Sequence, residues 1–118
     1  ITFEKASIIK ESGTVFADIP EERLFQVANS IARKSKADIF RLGVDFHVSS
    51  ETGNKDKNLF NYRSGSRVLN NLTLPLNGRF QRNNAGLAIS ACLALNERGL
   101  NIEEEYLRQG LKMVSWEG

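Results

Sequence analysis

Apolar positions along the chain follow two different periods, and the switch between them divides it into strands and helices. Thr14 to Ile19 (TVFADI) is a β-branched and aromatic run that reads as a strand. It ends at Asp18-Ile19-Pro20-Glu21, where an Asp three residues ahead of a Glu predicts a capping box. Leu24, Val27, Ala28, Ile31 and Ala32 then recur at helical spacing, with Arg33, Lys34 and Lys36 near the negative C-terminal end, so a helix is expected from about Ile19 to Ser35. Ile39 to Leu42 reads as a second strand. A strand, helix and strand with such short connections predict a right-handed parallel crossover.

Beyond Asp45 the period shortens. Phe46-His47-Val48, Leu59 to Tyr62 and Val68 to Leu72 are strand-like runs separated by Glu51 to Lys57 and by Ser64-Gly65-Ser66, which predicts an antiparallel meander. Its alternation is imperfect, as suits a small sheet with one wet face. Pro75 and Gly78 punctuate the chain before Asn84 to Arg98, a helix apolar at nearly every position from Leu87 to Leu95 and closed by Gly99. Asn101 and Glu104 form a second capping box, and Ile102, Tyr106, Leu107, Leu111 and Val114 line one face of a last helix. The expected class is α/β: a parallel βαβ portion, a small antiparallel meander and C-terminal helices.

Composition narrows the function classes. The 118 residues carry 41% hydrophobic and 25% charged side chains, the profile of one globular domain. Sixteen basic against fourteen acidic residues leave +2, which gives no electrostatic reason to expect a nucleic-acid or membrane partner. A single cysteine, Cys92, excludes an internal disulfide framework, and a single histidine, His47, excludes a Cys/His zinc cluster, so a reducing cytoplasm is the expected location. Leu87 to Leu95 falls well short of the roughly 20 apolar residues that a bilayer span needs. The first residue is not Met and the last are Trp116-Glu117-Gly118, from which an excised piece of a longer protein is expected.

No phosphate-loop, nucleophile-elbow or metal-spaced motif is present. The segment Leu74-Pro75-Leu76-Asn77-Gly78-Arg79-Phe80-Gln81-Arg82-Asn83-Asn84-Ala85-Gly86-Leu87-Ala88, however, resembles the LPL-x-G-x-H-Q-x-x-N-A-x-x-A stretch of folylpolyglutamate synthases and dihydrofolate synthases, of the Mur ligase superfamily. Glu4 to Lys10 is similar to that family's E-K-A-G-I-I-K, Leu42 to Phe46 to its L-G-x-D-F, and Gly110 to Gly118 to its G-L-x-x-V-x-W-P-G-R. These pieces occur in the family's order across the whole chain.

The resemblance implies that residues 1–118 form the C-terminal portion of a central ATP-binding domain, without the phosphate loop or the C-terminal ligase domain. It implies an activity for the intact enzyme in which ATP, with Mg²⁺, phosphorylates a folate or dihydropteroate carboxylate, and the amino group of glutamate displaces phosphate to form an amide. The fragment alone is expected to be inactive. Lys5 matches the lysine that the family carbamylates at its metal site; read from its surroundings alone it is a solvated lysine beside Glu4. Asn84 matches the family's adenine-contacting asparagine, whose amide offers a donor and an acceptor to adenine N7 and N6. Asn83 or Asn84 would serve equally as a helix N-cap. Gln81 aligns with the family's glutamine and is a second candidate nucleotide contact, although Phe80 stands where His is usual.

Other readings remain on the same residues: a fragment of a peptidoglycan-precursor ligase of the same fold, or a free-standing non-catalytic binding module. Asp45 and Phe46 read as structure, His47 as a surface or hydrogen-bonded histidine, and Cys92 as a small buried hydrophobe. If a missing half normally covers the parallel strands, the fragment would leave a sheet edge or apolar face bare and self-associate through it.

Overall fold

The structure, a computed structural model, describes residues 8–11, 13–50, 59–75 and 79–113. Strand β1 (Ile8–Glu11) pairs antiparallel with β2 (Thr14–Ala17), and β2 pairs in parallel with β3 (Asp38–Arg41) after a crossover through helix α1 (Glu22–Lys34). The expected βαβ unit is thus present, with β1 as an added strand that the sequence pattern did not reveal.

Helix α1 begins later than expected. Asp18 does not cap it; Glu21 occupies the N-cap, its side chain accepting from the backbone N–H of Arg23 at 3.1 Å. The physical reason lies in Pro20, whose ring disfavours helical geometry at Ile19, so Asp18 and Ile19 continue out of β2 as a loop. The buried stripe is also narrower than the sequence suggests. Ala28 and Ala32 are buried and Leu24 and Phe25 pack beside them on Ala17, Ile19 and Ile39, whereas Val27 and Ile31 face solvent.

The second sheet is the expected meander: β4 (His47–Ser49), β5 (Leu59–Ser64) and β6 (Arg67–Thr73), all antiparallel. Its irregular alternation has one cause. Phe60 pairs with Leu72 and Tyr62 with Leu69, so Asn61 faces two residues, Asn70 and Asn71. The extra residue makes a β-bulge, with Asn71 at φ 58° and its N–H bonded to Asn61 Oδ1 at 2.9 Å. Leu69 and Leu72 thereby both reach the core although they are three apart.

Helix α2 (Arg79–Glu97) starts before Asn84, so Asn83 and Asn84 lie inside its early turns and neither is an N-cap. It packs against both sheets, and Ala85, Leu87 and Ile89 join Phe46, Phe60, Leu69, Leu72 and Leu74 in the main core. Its close approach to β4 depends on Gly86, where a Cβ would lie 2.6 Å from Val48 Cγ1. Within that core the Tyr62 hydroxyl and Ser90 Oγ are 2.6 Å apart, and burial pushes the Tyr62 phenol up. Gly99 ends the helix at φ 102°, with Leu100 N–H reaching Leu95 O, and Asn96 fastens the next turn by bonds to both N–H and C=O of Ile102.

That use of Ile102 displaces the second predicted capping box. Helix α3 (Glu104–Lys112) has Glu103 at its N-cap with no side-chain cap bond. Leu111 is buried and Leu107 packs on the core, but Tyr106 is 67% exposed. Val114 lies outside the described residues. Arg108 ties α3 to the β6 bulge through the carbonyls of Asn70 and Asn71. No helix among the described residues is long and apolar enough to cross a membrane.

Candidate functional site

In an open α/β arrangement the loops at the carboxyl ends of parallel strands are the favoured place for ligands. Here those ends are held by Arg41, the last residue of β3. Its Nε donates to Ile19 O at 3.1 Å and one terminal nitrogen to Pro20 O at 3.2 Å, while the other pairs with Glu22 at 2.7 Å. The guanidinium also lies 4.3 Å from the centre of the Phe25 ring. The hydrogen bond from Arg41 lowers the Glu22 carboxyl below its ordinary range, with a further contribution from Gln26. Asp45 accepts from the Arg41 backbone N–H at 2.7 Å and Phe46 is buried, so both are structural, as their sequence suggests.

The loop so fixed meets the early turns of α2, where Asp18 Oδ2 accepts from Asn83 Nδ2 at 3.3 Å. Two residues before Asn83, Gln81 buries its carbonyl Oε1 with no hydrogen-bond donor among the described residues. Such an atom is expensive, about 1–3 kcal/mol, and its natural complement is an N–H group. Asn84 lies at i+3 from Gln81, on the same side of the helix, and is half-buried. The two predicted nucleotide contacts are therefore neighbours, next to a buried acceptor in want of a donor. Lys5 lies outside the described residues, and the side chain of Phe80 is likewise not described. Among the described residues no group of three or more His, Cys, Asp or Glu side chains is arranged to hold a metal ion.

At the other end of α2 is a cleft of about 570 Å³ that no sequence signal indicated. Phe16, Phe40 and Phe46 form its floor, Phe16 and Phe40 stacked at 5.7 Å and Phe46 edge-on to Phe16 at 6.1 Å. Asp38, Arg67 and Glu97 stand on its rim. Phe40 is 39% exposed on this face of the first sheet. His47 sits half-buried in β4 opposite Arg63. Cys92 is half-buried rather than enclosed, because the outer side of α2 is not fully covered, and desolvation still pushes its thiol up.

No protein family's sequence profile matches the chain. The dihydrofolate synthase/folylpolyglutamate synthase of Bacillus subtilis (strain 168) is 29% identical to it over 119 residues, covering 100% of the chain and 28% of that protein. Among solved structures, the folylpolyglutamate synthase of Thermotoga maritima superposes with a TM-score of 0.74 at 29% identity, over 91% of this chain and 24% of its own. A folylpolyglutamate synthase complex with AMPPCP and folate shares the fold, with a TM-score of 0.71 at 22% identity over 81% of this chain and 24% of its own. The chain thus resembles a segment of these synthases from end to end, in sequence and in α/β architecture, and spans about a quarter of the length of the relatives it matches.

Proposed function

We propose that this chain is the C-terminal portion of the central ATP-binding domain of a folylpolyglutamate or dihydrofolate synthase, and that it carries the adenine-contacting part of the nucleotide site. The observation that carries this reading is the collinear match, 29% identical across 100% of the chain, to a protein of that activity. The local chemistry agrees. Gln81 offers a buried acceptor without a donor among the described residues, which the exocyclic amine of adenine would satisfy, and Asn84, its neighbour on the helix, can both donate to and accept from the base edge. A solved relative of the same fold binds AMPPCP and folate.

In the complete enzyme the reaction is the ATP-dependent addition of glutamate to a folate or dihydropteroate carboxylate through an acyl phosphate, carried out in the cytoplasm. Mg²⁺ would neutralise phosphate charge during that transfer. The described residues supply no ligand set for it, so no part of the reaction is assigned to a metal-bound residue among them. Lys5 is the proposed lysine of the metal site, carbamylated in the complete enzyme and a plain amine in the isolated chain, which is inactive by itself.

The test is a steady-state assay of the complete protein that monitors ADP release. Release should require both glutamate and the folate substrate. Asn84→Ala should raise the KM for ATP about tenfold, the loss of one or two directed hydrogen bonds, and leave the KM for glutamate unchanged. Absence of folate-dependent ADP release, or an unaltered KM for ATP in the variant, refutes the assignment.

A further inference from the structure

The early turns of α2 have a tether that the resemblance does not assign. Asn83 stands between the two proposed adenine contacts in sequence, yet it points elsewhere. At 3.6 residues per turn the directions of Gln81 and Asn84 lie about 60° apart, and that of Asn83 lies about 130° from their mean. Its amide can therefore be held without obstructing the face that meets a ligand. What holds it is Asp18, 65 residues earlier in the chain, at 3.3 Å.

Asp18 in turn belongs to a loop with little freedom. Arg41 grips the next two carbonyls, those of Ile19 and Pro20, and is itself seated by Glu22 and Phe25. The carboxylate is thus fixed to the rigid end of the parallel strands. The first turn of a helix lacks half of its intrahelical bonds and frays easily, so a side-chain anchor just after it, at Asn83, sets the rotation of the early turns.

We propose that Asp18, seated by Arg41 and acting through Asn83, is a positioning residue of the nucleotide site: it fixes the rotation of the early turns of α2 and so the direction in which Gln81 and Asn84 present their amides. The inference rests on the reading of Gln81 and Asn84 as adenine contacts. It predicts a defect in nucleotide affinity without a matching defect in turnover, because Asp18 itself touches neither base nor reacting atoms.

The test uses the complete protein, with AMPPCP binding by calorimetry, the KM for ATP, kcat and the melting temperature measured together. Asp18→Ala and Asn83→Ala should each weaken AMPPCP binding and raise the KM for ATP about fivefold, because the lost bond acts on the ligand only through the orientation of Gln81 and Asn84. The double variant should be no worse than either single one, and kcat should stay within about twofold. Asp18→Asn, which keeps an oxygen acceptor for the Asn83 amide, should restore most of the affinity. Additive effects of the two alanine substitutions overturn the proposal, as does a lowered melting temperature with unchanged AMPPCP affinity. Should Asp18→Ala fail to fold, unaltered affinity in Asn83→Ala overturns it equally. Wild-type protein that does not bind AMPPCP removes the nucleotide reading beneath it, an outcome distinct from wild-type binding that both variants retain.

Discussion

Replacing Gly86 by Ala isolates the contact that sets the spacing between α2 and the meander. The new methyl carbon would lie 2.6 Å from Val48 Cγ1, where carbon atoms ordinarily sit about 3.5–4.0 Å apart, so an overlap of about 1 Å must be relieved. Val48 cannot relieve it cheaply: its side chain is β-branched and stiff at χ1, and it stands on a strand paired to Tyr62. Forced overpacking of this kind costs about 1–3 kcal/mol, while Ala gains about 0.8–1.0 kcal/mol over Gly in a helix interior. The expected net effect is a destabilisation of about 0–2 kcal/mol, read from the midpoint of urea unfolding at unchanged slope. In a Val48→Ala background the obstructing Cγ1 is gone and the next atom, the Cβ at residue 48, lies at 3.9 Å, an ordinary contact. There the same Gly86→Ala change should become stabilising by up to about 1 kcal/mol. Stabilisation with Val48 in place, or an equal loss in both backgrounds, would refute the steric argument.

Two further outcomes concern polar contacts. Tyr62→Phe strips Ser90, 4% exposed, of its hydroxyl partner and should cost about 1–2 kcal/mol in urea unfolding. Ser90→Ala should cost a similar amount, because the buried Tyr62 hydroxyl loses the same bond, and the double variant should be no worse than either single one; fully additive losses would contradict the assigned geometry. Glu22 has its carboxyl lowered from 4.5 by the bond from Arg41, so its contribution to stability is present above that value and lost as pH falls through the lower, folded one. The melting temperatures of wild type and Glu22→Gln should therefore differ at neutral pH and converge in acid, and a gap that is the same at both ends of the range would count against the pairing.

Legibility in the sequence depended on whether local pattern and tertiary contact pointed the same way. The βαβ unit and the meander were legible because Leu24, Ala28 and Ala32 repeat at helical spacing and Phe60 and Tyr62 at strand spacing, and each repeat is what packing uses. The start of α2 was hidden, since Arg79 to Asn84 is polar at most positions and shows no apolar period, with Pro75 and Gly78 just before it suggesting a loop. Strand β1 offers only Ile8 and Ile9 and is defined by its pairing with β2. The bulge at Asn70 and Asn71 breaks alternation in a way that resembles a weak strand until its partner is seen. Gln81 and Asn84 could be singled out through a motif resemblance, but the burial of Gln81 Oε1 and the Asp18–Asn83 bond depend on atoms brought together from distant parts of the chain. The aromatic cleft was illegible for the same reason, its floor being drawn from β2, β3 and the start of the meander.

The 19 residues of α2 carry a practical implication for ligand discovery. From Asn84 to Glu97 the helix climbs about 20 Å, more than a purine ring and its sugar can bridge. Phe46, which lines the aromatic cleft, nevertheless lies 4.0 Å from where a Cβ at Gly86 would stand, two residues past Asn84, so the cleft reaches back along the helix toward Gln81 and Asn84. A compound lodged among Phe16, Phe40 and Phe46 would press on that stretch of helix, so a search for its effects belongs at the early turns of α2 as well as in the cleft.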